Sequence, residues 1–318
     1  MNVYDKIVIT QIHDSGIYNI HPFLQDAPAS KDLTASIKAS GLLSPPVLLQ
    51  RIQEEPKYDV ICGRQRLKCV ASELGASECC CRILPEQTSP EQILSIIIED
   101  QYSRGSLSII EQAHFISLCQ RLLPERKQRE KFISHLPHGR ISKGTQFLLP
   151  LISFPEQIQE KSHYGVISDK IIRDLQLLIE HDQLQFLELV EKLQISGNNQ
   201  KKVLHQLIDI VKREDIALES LLNREEILGI LDNTEISTQQ KSSRFFEQIS
   251  QMSLPLLSAA QETFAQEIKE LKLPENCSIM PSRSFETDEV VLAIRYRNLK
   301  DAKENWKELR HCLNTAKD

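Results

Sequence analysis

The stretch Val60-Ile61-Cys62-Gly63-Arg64-Gln65-Arg66-Leu67-Lys68-Cys69-Val70-Ala71-Ser72-Glu73-Leu74-Gly75 constrains the fold more than any other in the chain. Tyr58 to Cys62 is a β-branched and aromatic run suited to a short strand. Gly63 follows it and can take positive φ or admit a second backbone at close range. Leu67, Val70, Ala71 and Leu74 then recur at helical spacing, and Gly75 fits the position just past a helix end. Gly63 therefore stands where a strand feeds a helix N-terminus, with Arg64, Arg66 and Lys68 around unsatisfied backbone N–H groups. Such an arrangement can cradle an anion. The same residues also suit a turn whose basic side chains are solvated or salt-bridged.

A second stretch, Glu99-Asp100-Gln101-Tyr102-Ser103-Arg104-Gly105-Ser106-Leu107-Ser108-Ile109-Ile110-Glu111-Gln112-Ala113, ends one apolar run (Ile93, Leu94, Ile96, Ile97, Ile98) and opens another helix. Ser106 or Ser108 suits the N-cap, and Glu111 stands where a capping box on Ser108 needs it. Upstream, residues 6 to 20 read as short strands, and Asp32 to Ser40 as a short helix. Pro45-Pro46 force an extended entry into a strand from Val47 to Ile52, which Glu54 to Lys57 turns back into Tyr58–Cys62. A strand through Cys79 to Leu84 follows, then a helix from Ser89 with Pro90 at its first position. These elements make residues 1–115 a compact α/β domain.

From residue 116 to 215 the pattern is helical. Pro124 breaks one helix; Glu125–Leu136 and Ser142–Leu149 are two more, separated by Pro137-His138-Gly139-Arg140-Ile141. Two short helices about a glycine-containing turn read as a helix-turn-helix, with Ser142-Lys143-Gly144-Thr145-Gln146 opening the recognition helix. Between Arg121 and Phe147 seven cations (Arg121, Arg126, Lys127, Arg129, Lys131, Arg140, Lys143) face two acids (Glu125, Glu130), a local charge of +5. Phosphates reward such clustering through counterion release. A solvated helix face gives the same composition. Further helices are expected at Asp169–Ile179, Gln183–Leu193 and Gln200–Val211, the last capped by Asn198 or Asn199.

Residues 216–318 read as a small α+β module: amphipathic helices at Thr234–Gln251 and Leu256–Leu271, a hairpin from Ser278–Pro281 and Glu289–Tyr296, and a closing helix at Lys300–Ala316 with Trp306. About a hundred residues bury little surface alone, so the module suits dimerisation or partner binding.

The 318-residue chain carries a net charge of −6, which argues against a protein that coats nucleic acid along its whole surface while allowing a local basic patch. No apolar run is long enough to span a bilayer and the first residues do not resemble a signal peptide, so no membrane partner and a cytoplasmic location are expected. The eight cysteines include the consecutive Cys79-Cys80-Cys81 and form no Cys-x-x-Cys pair, which reads as reduced thiols rather than a zinc site.

Together these segments resemble the ParB-type chromosome and plasmid partition family, within the ParB/sulfiredoxin superfamily. In that family a Gly-Glu-Arg-Arg turn is followed about thirty-five residues on by Glu-Asn-x-x-Arg and then Leu-x-x-Ile-Glu-x-Ala, within one βαβα unit. Here Leu33 to Leu48 matches the first box, Gly63-Arg64-Gln65-Arg66 the turn, and Glu99 to Arg104 the second motif, with Arg104 one place later than the pattern. Leu107, Ile110, Glu111 and Ala113 keep the family order. Phe154-Pro155-Glu156-Gln157-Ile158-Gln159 and Gly165 resemble the segment that follows the family's helix-turn-helix. The likeness weakens towards residue 215 and fades beyond it.

The resemblance implies a three-part fold and a double-stranded DNA-binding protein, gated by CTP, acting in DNA segregation or transcription control near the nucleoid. By resemblance Gly63 and Arg66 would contact phosphate, with Arg64 and Arg104 beside them, and Ser44 would lie near the base, where the family often has Gln or Thr. Glu99 and Asp100 would hold Mg²⁺, hard oxygen ligands for a hard ion. Arg140, Ser142, Lys143, Thr145 and Gln146 would read DNA, with Lys127 and Lys131 on its phosphates. The resemblance also raises a homodimer and a ParA-type ATPase partner. Arg64 replaces the turn's carboxylate and Gln65 an arginine, so the expected version is binding without turnover, at most a weak CTPase. A sulfiredoxin-like phosphotransferase lacks its thiol here, because Cys62 precedes the glycine instead of following it. A nuclease would need a richer metal cluster. A scaffold that keeps only the fold remains as the other alternative.

Overall fold

The computed structural model describes residues 3–24, 28–52, 55–102, 105–136, 148–253, 255–271, 273, 276–282, 289–300 and 302–303. The chain is a mixed α+β protein of two compact units, one running to Leu204 and the other from His205.

The first unit begins with a five-stranded sheet of β1 (Val3–Val8), β2 (Ile12–His13), β3 (Val47–Gln50), β4 (Tyr58–Cys62) and β5 (Glu78–Leu84), in the order β1-β5-β3-β4-β2. β1 and β5 are antiparallel, β5 and β3 parallel, β3 and β4 antiparallel, and β4 and β2 parallel. β4 is buried along nearly its whole length, because helices cover both faces. On one face Val60 joins Ile7, Leu48, Cys79 and Cys81 under Val70, which lies in the turns following Gly63. On the other lies α3 (Pro90–Tyr102), packed on β4. At about 25 cal/mol per Å² of apolar surface, these side chains supply most of the driving force for this lobe.

The helix after Gly63, α2 (Arg64–Lys68), continues as a π-helical turn over Cys69–Glu73. Gly16 to Ile20, expected as a short strand, instead lies in an irregular loop, because side chains offer the backbone local partners. Asp14 accepts from the Gly16 N–H, Ser15 Oγ from Ile17, and Asn19 Oδ1 from His21. These are Asx and Ser turns, which outcompete a ladder.

The central helix of the unit is α4 (Ile109–Leu122), buried on nearly every side by the helices around it. Its start is the capping box expected from sequence: the Glu111 N–H donates to Ser108 Oγ at 3.2 Å and the Ser108 N–H to Glu111 Oε2 at 2.8 Å. α5 (Arg126–Ile133) follows, with Lys127 and Lys131 exposed one turn apart on one face. The neighbouring cations have local duties: Arg129 donates to the carbonyls of Leu123 and Pro124, Arg126 pairs with Glu130, and Arg121 donates to the Ile17 carbonyl. Arg104 and the stretch with Arg140, Ser142, Lys143, Thr145 and Gln146 lie outside the described residues, so the helix-turn-helix reading is not tested.

The unit closes with α6 (Glu156–His163), α7 (Ile172–Leu175), α8 (Glu180–Leu193) and the start of α9 (Gly197–Glu214). α9 begins ahead of the expected cap, its first turn closed on the Ser196 carbonyl, and Asn198 instead accepts from Lys170. The second unit holds the rest of α9, α10 (Leu218–Leu222), α11 (Glu225–Leu231), α12 (Thr238–Ser253) and α13 (Pro255–Glu270). Arg213 caps the end of α12 by donating to the carbonyls of Ser253 and Met252. The expected hairpin is present as antiparallel β6 (Cys277–Pro281) and β7 (Val290–Ile294). The closing helix with Trp306 falls outside the described residues.

Candidate functional site

Gly63 fixes the geometry of the turn. It sits at φ +87° as the N-cap of α2, and its carbonyl accepts from the Leu67 N–H at 2.9 Å. A Cβ there would lie 2.9 Å from Pro46 Cα and 3.2 Å from the Arg66 guanidinium. Left-handed backbone and close approach both demand glycine, and they bring the Pro45-Pro46 segment against the turn.

Arg66 is the centre of what converges there. It is only 9% exposed. Its Nη1 donates to the Ser44 carbonyl at 2.8 Å and to Ser44 Oγ, and its Nη2 to Asp100 Oδ1 at 2.6 Å. Nε is buried with no hydrogen-bond partner among the described residues. Four residues singled out in the sequence, Ser44, Gly63, Arg66 and Asp100, are thus drawn together from three boxes spread over residues 44 to 100. Glu99, by contrast, is exposed on α3.

Arg64 faces another way. Its Nε donates to Asp14 Oδ1 at 2.8 Å, Nη1 to the Ile61 carbonyl at 3.2 Å and Nη2 to the Val60 carbonyl at 2.9 Å. It therefore ties the end of β4 to the loop after β2. Gln65 Nε2 donates to the Leu24 carbonyl at 2.5 Å and fastens the far end of the same loop.

Between this loop and the turn runs a cleft lined by Tyr18, His21, Gly63, Arg64, Ile97 and Asp100 among others, with a cavity volume of about 30 Å³. That is room for little more than water. An anion the size of phosphate enters only if the internal carboxylates, Asp14 and Asp100, give up their arginines. Burial first, and then the Asp59 charge, push the Tyr18 hydroxyl above its ordinary pKa, so it stays a neutral donor at the cleft wall. Asp59, itself buried in β4, is satisfied by the Ser15 N–H at 3.2 Å and by Ser15 Oγ at 2.7 Å.

Sequence reasoning missed the loop residues Asp14, Tyr18 and His21. The signal was the Asp-Ser-Gly and Asn-x-His-Pro turn chemistry, which marks an ordered loop rather than a strand. It also gave Glu111 only its capping role. Glu111 Oε1 lies 2.5 Å from His21 Nδ1 and 4.0 Å from His163 Nδ1, and Ser108 Oγ is 2.9 Å from the same His163 nitrogen. Burial would raise the Glu111 pKa, but the bond to His21, the His21 charge, the Ser108 N–H and His163 together hold it below the ordinary carboxylate range. Burial keeps nearby His114 below the usual histidine value, against a bond to Gln159.

Among the described residues no cluster of three or more His, Cys, Asp or Glu is placed to hold a metal ion. No described helix is long and apolar enough to cross a membrane.

No protein-family model matches the chain, and no curated protein matches it. Among solved structures, the chain is similar to the C-terminally truncated chromosome-partitioning protein ParB from Caulobacter crescentus complexed with CTP-gamma-S, at 16% identity and a TM-score of 0.24 over 59% of this chain and 98% of that one. It is also similar to the C-terminally truncated ParB of the same organism complexed to the centromeric parS site, at 12% identity and a TM-score of 0.36 over 64% of this chain and 99% of that one. At these scores neither likeness carries an argument.

Proposed function

We propose that this chain is a ParB-like DNA-binding protein whose cleft at Gly63 and Asp100, with Arg66 bound to Asp100 behind it, takes the phosphates of a nucleoside triphosphate, CTP by the resemblance of its motifs, and whose DNA affinity responds to that nucleotide. The observation that carries the reading is Arg66. A guanidinium this buried, set against the Gly63 turn and with its Nε unpaired among the described residues, suits an oxyanion. Asp100 occupies the place on Arg66 that a phosphate oxygen would take.

Magnesium suits the reading in a restricted way. Mg²⁺ binds through one or two carboxylates plus substrate phosphates, so Asp100, released from Arg66, and exposed Glu99 could serve, provided the nucleotide supplies the remaining ligands. In this role the ion offsets phosphate charge. Hydrolysis is not part of the proposal. The position that holds a carboxylate in the family's turn carries Arg64 here, and Arg64 is tied to Asp14 and to two β4 carbonyls.

DNA contact is assigned to the basic segment 121–147, with Lys127 and Lys131 presented on one face of α5. Pairing with a second copy is assigned to residues 216–318, where Met280, Val290, Val291 and Leu292 are exposed on the hairpin. The test is titration calorimetry with CTP, ATP and GTP plus Mg²⁺, on the parent and on Arg66→Ala. The expected result is CTP-selective binding that Arg66→Ala abolishes; binding that survives the substitution would move the site elsewhere.

A further inference from the structure

His21 lines the same cleft as Gly63, Arg64 and Asp100, although it belongs to a loop the motifs do not include. Its position is fixed twice. The backbone is held by Asn19, whose Oδ1 accepts from the His21 N–H at 2.9 Å and whose Nδ2 donates to the His21 carbonyl at 3.3 Å. The ring is held by Glu111 at Nδ1, with the His21 side chain 18% and that of Glu111 8% exposed. Because Nδ1 faces a carboxylate, it must carry the hydrogen, and Nε2 is the nitrogen left for a ligand. In the neutral ring Nε2 is an acceptor and would repel a phosphate oxygen. In the protonated ring it is a donor bearing charge.

We propose that His21 is a phosphate contact of the cleft, working through protonated Nε2 and oriented by Glu111, so that anion binding there strengthens as pH falls through the histidine range. The proposal rests on the reading of the cleft as a triphosphate site. The carboxylates that face the ring favour its charge, and the imidazoles and Arg64 oppose it. Glu111 and His114 approach from α4 and His163 from α6, with Tyr18 on the same loop and Arg64 and Asp100 across the cleft. Glu111 stays ionised well below neutral pH, so it remains a partner for the imidazolium throughout. The two arginines already answer to Asp14 and Asp100. A phosphate that displaces those carboxylates gains from one more cation, His21, whose own carboxylate partner Glu111 holds it through Nδ1.

The sign follows from linkage. Phosphate at Nε2 favours the charged ring. The added affinity is then present at low pH and disappears as pH rises through the range in which histidine titrates.

The experiment measures binding of CTP with Mg²⁺ and of inorganic triphosphate between about pH 5.5 and about pH 8.5, the span in which histidine titrates, in the parent, His21→Gln and, as control, His135→Gln, an exposed histidine that does not line the cleft. The ratio of parent to His21→Gln affinity cancels the ligand's own titration. It should grow towards low pH for both ligands, while His135→Gln keeps the parent's profile. Parallel profiles for parent and His21→Gln would overturn the role of His21 and leave the site intact. A pH effect with CTP and none with triphosphate would overturn the phosphate contact in favour of the base. No binding at any pH would overturn the cleft reading and this proposal with it. If His21→Gln does not fold, the ring resonance of His21 in the parent decides: triphosphate must raise its titration midpoint, and an unmoved midpoint refutes the contact.

Discussion

Replacing Gly63 by alanine should damage the first unit in two separable ways. An L-residue held at φ +87° costs about 1–2 kcal/mol from left-handed backbone alone. The new methyl would also stand 2.9 Å from Pro46 Cα, a backbone atom that cannot rotate away. Relieving such a collision costs roughly 1–3 kcal/mol more, the range of overpacked cores. Gly165→Ala is the control, because Gly165 has φ +76°, follows α6 in a turn that the Val166 N–H closes on the Lys161 carbonyl, and has open space where a Cβ would go. It should show the backbone cost without the collision. Urea denaturation followed by far-UV circular dichroism should therefore place Gly63→Ala about 1–3 kcal/mol below Gly165→Ala. Equal stability for the two variants would refute the claim that the Pro46 segment packs against the turn.

Three further outcomes follow from the same contacts. Asp14→Asn removes the acid that holds Arg64, so triphosphate affinity measured by calorimetry should rise several-fold, and an unchanged value would show that Arg64 plays no part in the cleft. Lys127→Ala and Lys131→Ala should each weaken binding to double-stranded DNA and lower the salt slope by about 0.9; an unchanged slope would remove α5 from the interface. Glu111 has its pKa lowered on folding, so it contributes stability above its unfolded value of about 4.3, and that contribution is lost as pH falls through the depressed folded value. Glu111→Gln should thus be less stable than the parent at pH 7 and lose its disadvantage in acid, where an undiminished gap at low pH would contradict the linkage.

The sequence was most readable where local rules and tertiary needs coincide. Ser108 and Glu111 form the capping box their spacing announces, and Gly63 takes the positive φ that a strand-to-helix turn requires. It was least readable where one residue serves two partners. Glu111 caps α4 through one oxygen and binds His21 through the other, and nothing in the spacing of a capping box announces a partner ninety residues away. Arg64 and Arg66 carry the same charge two residues apart, yet one staples a strand end and the other turns inward, where it meets Ser44 and Asp100. The strand expected over Gly16 to Ile20 failed for a local reason, since Asp14, Ser15 and Asn19 each accept from the backbone N–H two residues on.

The central claim is that nucleotide in the cleft changes DNA binding, and coupling between two sites must be measurable as a ratio. The decisive measurement is the affinity of the full chain for a double-stranded DNA fragment at fixed salt, with and without saturating CTP and Mg²⁺, in the parent and in Arg66→Ala. The account predicts a change of at least about fivefold in the parent, the low end of allosteric coupling, and none in Arg66→Ala. Equal affinity with and without nucleotide in the parent would contradict it.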